Sequence, residues 1–174
     1  MRRMIWSIAL ITTLSVGACF TDSSPTSDAE KARQYFEDGV ACFERLDFEC
    51  SMTLLEQVWY INDFSEIDET EWTYYTAESN YLVAIDEDAL FPRESKIGSA
   101  ERAESMFQLL GADFDERRLL LQYFLIRSIE DSCDERRIGA VTRFRKTSAE
   151  TANQRQFDEL KALTEALIVE RPDC

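Results

Sequence analysis

From residue 28 onward, apolar side chains return at steps of three and four residues, the spacing of helices that each bury one face. Ala32, Tyr35, Phe36, Gly39 and Phe43 mark a first helix over 28–45, with Ser27 or Asp28 as its cap. Met52, Leu55 and Val58 or Trp59 mark a second over 49–62. Trp72, Tyr74, Tyr75 and Tyr81 fill a third over 71–85, behind Thr70 as cap. Residues 86–98 hold Pro92 and Gly98 and read as a loop. Further helices are predicted over 99–111, from 114 or 115 to 131, over 134–146 and, capped by Ser148, over 149–170, with Pro172 stopping the last. Leu119 to Ile126 is so continuously apolar that both sides of its helix are expected inside. No stretch alternates with a two-residue period between turn signals. The fold class is therefore all-α, with about seven helices in stacked antiparallel hairpins or in an irregular helical bundle.

Residues 1–19 follow another pattern. Arg2 and Arg3 make a basic start, an apolar run reaches Val16, and Gly17-Ala18-Cys19 closes it. The run is short for a bilayer span, and small residues before the Cys suit a peptidase. This segment resembles the lipobox signal peptide of bacterial lipoproteins: an aliphatic residue, two small ones, and a Cys that becomes the lipidated N-terminus. The resemblance implies a signal peptide at 1–18, lipidation of Cys19, a short Pro25-containing tether to residue 27, and a single helical domain over 28–174. It also implies a bilayer partner held through N-terminal acyl chains, several of which anchor far better than one. Phe20 stands where an aspartate would, by likeness to proteobacterial lipoproteins, favour the inner membrane, so the expected place is the cell envelope, at the outer membrane.

Within residues 32–65, Tyr35, Gly39, a turn with Phe48, small Ser51, Leu55 and Val58 resemble one tetratricopeptide repeat, in which a small residue on the second helix lets the pair close up. A shift of 66 residues lays Asp47-Phe48-Glu49 on Asp113-Phe114-Asp115 and Leu54-Leu55 on Leu120-Leu121. It also lays Ser51 on Arg117 and Gly39 on Ser105, breaking the pattern at the sterically demanding positions.

Charge changes the picture more than composition does. The chain carries a formal −15, and losing Arg2 and Arg3 with the signal would make it −17. Nucleic acid is thereby disfavoured as a partner, since phosphate contacts need cations. The distribution is lopsided: residues 20–100 hold 19 acids and 5 bases, residues 101–174 hold 15 and 12. Between Arg45 and Arg93 lie 47 residues with twelve acids and no Lys or Arg. That stretch also bears Trp59, Tyr60, Trp72, Tyr74, Tyr75 and Tyr81, and neighbours such as Trp59-Tyr60 point about 100° apart on a helix, so some rings are expected at the surface. Aromatic anchors among carboxylates suit a basic protein or peptide. The candidate partner-binding residues are Trp59, Asp68, Glu71, Trp72, Tyr75, Glu78 and Tyr81. The competing reading makes the rings core and the acids a solubilising coat, and the arginine clusters 117–118, 136–137 and 143–146 either pair with neighbouring acids or dock a second copy.

Four cysteines follow Cys19. In an exported chain an even number suggests disulfides, three pairings are open, and Cys42 with Cys50 is favoured because the two flank a helix corner at Leu46-Asp47-Phe48. Cys133 with Cys174 would tie down the C-terminal end.

The chain has no histidine, which removes imidazole bases and the Ser-His and Cys-His nucleophile pairs. No Gly-rich phosphate loop and no CxxC is present, and no cofactor is called for. Acid clusters at Asp63, Glu66, Asp68, Glu69 and at Asp86, Glu87, Asp88 lack the EF-hand spacing, so no metal site is assigned. The expected function is a membrane-anchored, non-enzymatic adaptor or scaffold. The alternatives are a cell-wall hydrolase built on two carboxylates and a spacer without ligand.

Overall fold

The computed structural model describes residues 27–86 and 91–172. Among them seven α-helices and two single 3₁₀ turns run α1 (Asp28–Glu44), α2 (Phe48–Ile61), α3 (Glu69–Ile85), α4 (Arg93–Leu110), α5 (Asp115–Ser128), α6 (Glu135–Glu150) and α7 (Asp158–Glu170), with no strand. The all-α expectation holds. The lipobox segment, Cys19 and Cys174 lie outside the described residues. No described helix is long and apolar enough to cross a membrane.

The start of α1 is fixed by a reciprocal cap: Glu30 N–H donates to the Ser27 hydroxyl while the Ser27 N–H donates to the Glu30 carboxylate, each at 3.1 Å. At the α1–α2 corner, Leu46 takes a left-handed φ of 63°, and Asp47 then caps α2 through the Cys50 N–H at 3.1 Å. Cys42 and Cys50 close that corner as a disulfide with Cα atoms 5.8 Å apart. Gly39 explains how tightly the hairpin shuts, since a Cβ there would lie 2.9 Å from the Leu55 side chain. Ser51, expected to serve that α1–α2 approach, instead hydrogen-bonds Ser79 at 2.8 Å, so the small residue on α2 serves the contact with α3.

Helices pack with their sequence neighbours to give the hairpins α1/α2, α3/α4 and α5/α6, and α7 lies against α5. The leading helices of successive units, α1, α3, α5 and α7, begin at 28, 69, 115 and 158, hence 41, 46 and 43 residues apart. The 66-residue shift therefore aligns α2, the second helix of one hairpin, with α5, the first of another, and is not the period of the stack.

Four boundaries depart from the expected ones. Asp68, not Thr70, caps α3, because its carboxylate accepts from the backbones of both Thr70 and Glu71. α4 begins at Arg93, as Pro92 has a preset φ and needs no donor at a helix start. Gly98 then rides on the solvent side while Ile97, Ala100, Ala103 and Phe107 point inward. α5 stops at Ser128, three residues early. α6 runs on through Ser148 to Glu150, and the chain breaks before α7. There the Thr151 hydroxyl donates to the Thr147 carbonyl, Lys161 donates to that of Thr151, and Phe157 turns into the core.

Two apolar clusters result. The smaller joins α1, α2 and α3 through Ala32, Leu55, Val58 and Trp72. The larger fills α3 to α7 around Phe107, Leu119, Leu121, Leu125, Ile126 and Phe144, and Met106 packs on both. Each fully buried Leu or Phe contributes about 1.5–3 kcal/mol by leaving water.

Candidate functional site

Three helices each bring a pair of side chains spaced four residues apart to one slot. α2 supplies Glu56 and Tyr60 with Trp59 between them, α3 supplies Trp72 and Thr76, and α4 supplies Arg102 and Met106. The slot encloses about 340 Å³. Its wall is set by Trp72, 4% exposed, whose indole N–H donates to the Leu55 carbonyl at 3.0 Å. Trp59 stacks on it with ring centroids 5.9 Å apart and planes 9° from parallel, and Phe64 meets Trp72 edge-on at 5.0 Å. Trp59 and Tyr60 stand outward at 59% and 69% exposure, an uncommon pair of large rings to leave in water.

The polar atoms of the slot are few. Arg102 Nη1 lies 3.1 Å from Glu56 Oε1, and the Tyr60 hydroxyl reaches the same oxygen at 3.5 Å. Thr76 is 3% exposed and its hydroxyl has no hydrogen-bond partner among the described residues. The connection that follows Trp59 and precedes Trp72 carries Asp63, Glu66 and Asp68, with Glu69 and Glu71 in the first turn of α3. Of these, Glu66 is paired with Arg33 at 3.0 Å, while Asp63, Asp68, Glu69 and Glu71 make no ion pair among the described residues. Asp63 accepts from the hydroxyl and the N–H of Ser65, which holds its carboxyl below the usual aspartate range. With Glu66 paired and Asp68 spent as a cap, this acid cluster is committed. No group of three or more His, Cys, Asp or Glu among the described residues is arranged to hold a metal ion.

The seven sequence candidates do not share one face. Trp59 and Trp72 line the slot, but Trp72 is buried as its wall. Asp68 and Glu71 stand at the exposed start of α3, the first as its cap, and neither lines the slot. Tyr75 turns toward α1, edge-on to Phe36 and Phe43 at 6.3 and 5.3 Å, and burial first and then Glu71 and Glu44 raise its hydroxyl pKa. Glu78 is no surface acid: it is buried and lies 2.6 Å from Arg117 Nε. Tyr81 faces α5, with the Arg117 guanidinium 5.6 Å from its ring centre, and burial raises its pKa against the opposing pull of Arg117. The helical period explains the scatter, since α3 is packed by α1, α2, α4 and α5 and no stripe of it is left free.

Glu56, Thr76, Arg102 and Met106 were not among the candidates, nor was Tyr60. Their four-residue spacings are visible in the sequence, yet which face of α4 meets α2 is a tertiary fact.

A larger cavity of about 520 Å³ opens where α3 and α5 end, lined by Tyr81, Tyr123, Phe124, Arg93, Lys96 and Arg127. Two of its cations are committed to helix ends: Lys96 donates to the Asp86 carbonyl after α3, and Arg93 to the Ser128 carbonyl of α5 and to Glu130. The smaller slot, with its unpartnered hydroxyl, is the better-built site.

The arginine clusters mostly close on this chain's own carboxylates. Arg118 pairs with Asp115 at 2.7 Å, Arg143 with Glu104 at 2.6 Å, and Arg136 with Asp134 and Glu94. Among the cysteines, Cys42 and Cys50 are joined as expected. Cys133 is likewise disulfide-bonded. Comparisons with protein-family models, with curated proteins and with solved structures each found no match to this chain.

Proposed function

We propose that this chain is a lipid-anchored adaptor of the bacterial cell envelope, tethered through Cys19, that docks a basic protein or peptide at the slot between α2, α3 and α4. The observation that carries the reading is the exposed pair Trp59 and Tyr60 at the slot, on the helix that leads into a connection and α3 start whose Asp63, Asp68, Glu69 and Glu71 make no ion pair among the described residues. Large rings at the edge of a desolvated pocket supply most of the energy of a typical interface, and surrounding charge of one sign selects and steers the partner. The helical hairpins supply a rigid platform for both.

Crosslinking with mass spectrometry in the native envelope tests this. The wild type is compared with Cys19→Ala, with Trp59→Ala/Tyr60→Ala, and with Glu69→Lys/Glu71→Lys. Glu78 is left alone because it is buried, and Asp68 because it caps α3. Cys19→Ala is expected to lose the acyl mass and leave the membrane fraction. The other two variants are expected to stay at the membrane and lose the same crosslinks. Crosslinks unchanged in both would end the adaptor reading, and an unacylated wild-type protein would end the anchor.

A further inference from the structure

We infer that the Cys42–Cys50 bridge is a thiol-exchange site with a fixed direction: an incoming thiol is taken up at Cys50, and Cys42 departs as a thiolate held by Arg45. The two sulfurs stand in different surroundings. Cys42, on α1, is 2% exposed, whereas Cys50 is half-buried in the first turn of α2 and lines an open surface depression with Asp47, Glu49, Thr53 and Leu54. A thiol arriving from water therefore meets Cys50 first. The guanidinium of Arg45 belongs to the other sulfur: its Nη2 donates to Cys42 Sγ at 3.3 Å, and Arg45 makes no ion pair among the described residues.

Exchange is faster when the leaving thiol is more acidic, and it depends on which sulfur can be reached. In the closed bridge, Arg45 donates to a weak, neutral acceptor. Once the bond opens, the same contact becomes a charge-assisted one to a thiolate. Arg45 thus favours the opened state over the bridge and offsets the cost of leaving charge on a buried sulfur. The attacking thiolate, its proton already given to water, bonds to Cys50 Sγ as the Cys42–Cys50 bond breaks and that bond's electron pair stays on Cys42 Sγ. A second thiol then attacks the sulfur carried by Cys50 and leaves as a disulfide with it, so two thiols are oxidised and the two cysteines reduced. Run backward, the same path closes the bridge from a mixed disulfide on Cys50. Asp47 and Glu49 line the depression and make no ion pair among the described residues, so the approach to Cys50 selects a cationic thiol over an anionic one.

The test uses the full oxidised chain and three thiols that differ in charge: cysteamine, mercaptoethanol and mercaptoethanesulfonate. Reactions are quenched in acid, alkylated with N-ethylmaleimide and mapped by mass spectrometry, and each rate is divided by that of the same thiol on an open-chain cystine peptide. The thiol adduct is expected on Cys50 and the maleimide on Cys42. Arg45→Gln is expected to slow opening roughly threefold to tenfold, and Arg45→Lys, which restores a cation, to recover most of that loss. Cysteamine should lead the sulfonate about threefold at low salt, a gap that closes as salt is added. Circular dichroism checks that both variants keep the helical fold. An adduct on Cys42, an opening rate independent of thiol concentration, or opening as fast in Arg45→Gln as in the wild type would overturn the assignment. Equal normalised rates for the three thiols would overturn the selection by charge.

Discussion

The two ends of the helix stack treat charge in opposite ways. From α3 onward, carboxylates are drawn inside and closed by arginines: Glu78 by Arg117, Asp115 by Arg118, and Glu104 by Arg143. Glu104 also accepts from Gln122, which reaches Thr147, so one buried network ties α4, α5 and α6 together. Around α1 and α2, the interior is rings, a disulfide and aliphatic side chains, and the ion pairs Lys31–Asp28, Arg33–Glu37 and Arg33–Glu66 sit outside with both partners well exposed. The difference shows where the charge excess can act. Acids in the second half are largely cancelled by the bases there, whereas those from α2 to the start of α3 mostly face water. The first half is thus held by apolar contact and left electrically open, while the second is held partly by charge and left nearly neutral.

The sharpest way to break this contrast is at Trp72, whose ring joins α3 to α2 and forms the slot wall. Trp72→Ala removes the stack on Trp59, the contact with Phe64 and the hydrogen bond to Leu55. A loss of about 4 kcal/mol is expected in urea unfolding, as for other buried large-to-small changes at Trp. A loss below about 1 kcal/mol would show that the first hairpin is not docked through this ring.

In the other half the matching cut is Glu104→Ala, which strands Arg143 and Gln122. Removing one partner of a buried pair costs about 3–5 kcal/mol, and Arg143, 35% exposed, can turn toward water, so about 3 kcal/mol is expected. Glu104→Gln keeps an acceptor for Gln122 and should cost about half as much. Equal losses for the two variants would mean that the charge of Glu104 is irrelevant and that the network is held by shape alone.

How much of this was legible in the sequence depends on whether the signal was local. α1 and α2 followed from three- and four-residue apolar steps, and the Cys42–Cys50 bridge from two cysteines beside one corner. The start of α4 was hidden because Pro92 and Gly98 look like breakers, although one stands before the first turn and the other faces solvent. The break before α7 was hidden because residues 149–157 lack both Gly and Pro, and the turn is made by a Thr hydroxyl, a distant lysine and one inward Phe. Glu78 read as a solvated acid because it lies in an acid-rich run, and nothing nearby in the chain announces Arg117 as its partner. The slot was only half legible for the same reason: its three rings belong to a visible aromatic stretch, while Thr76, Arg102 and Met106 join it through packing alone.

The smallest effect, and the one that sharpens the contrast by its weakness, lies at the surface of α6. Asp134 caps that helix by accepting from the Arg136 N–H at 2.8 Å and also receives the Arg136 guanidinium at 2.9 Å. The Arg136 side chain first and its backbone N–H second hold the Asp134 carboxyl below its ordinary value of 3.8. A carboxyl whose pKa is lower in the folded chain than in the unfolded one adds stability above its unfolded pKa, and that contribution fades as pH falls toward the folded value. Asp134→Asn keeps a capping oxygen but cannot ionise. The variant should therefore melt slightly below wild type at pH 7, and the gap should close as the pH is lowered past the ordinary aspartate range. It should also narrow with added salt, since both partners are open to solvent. Melting curves of the two proteins between pH 7 and pH 2 decide it: a gap that stays constant, or widens toward acid, would mean that the cap rather than the charge carries the effect. The surface of the second half would then be as electrically quiet as its network-bound interior.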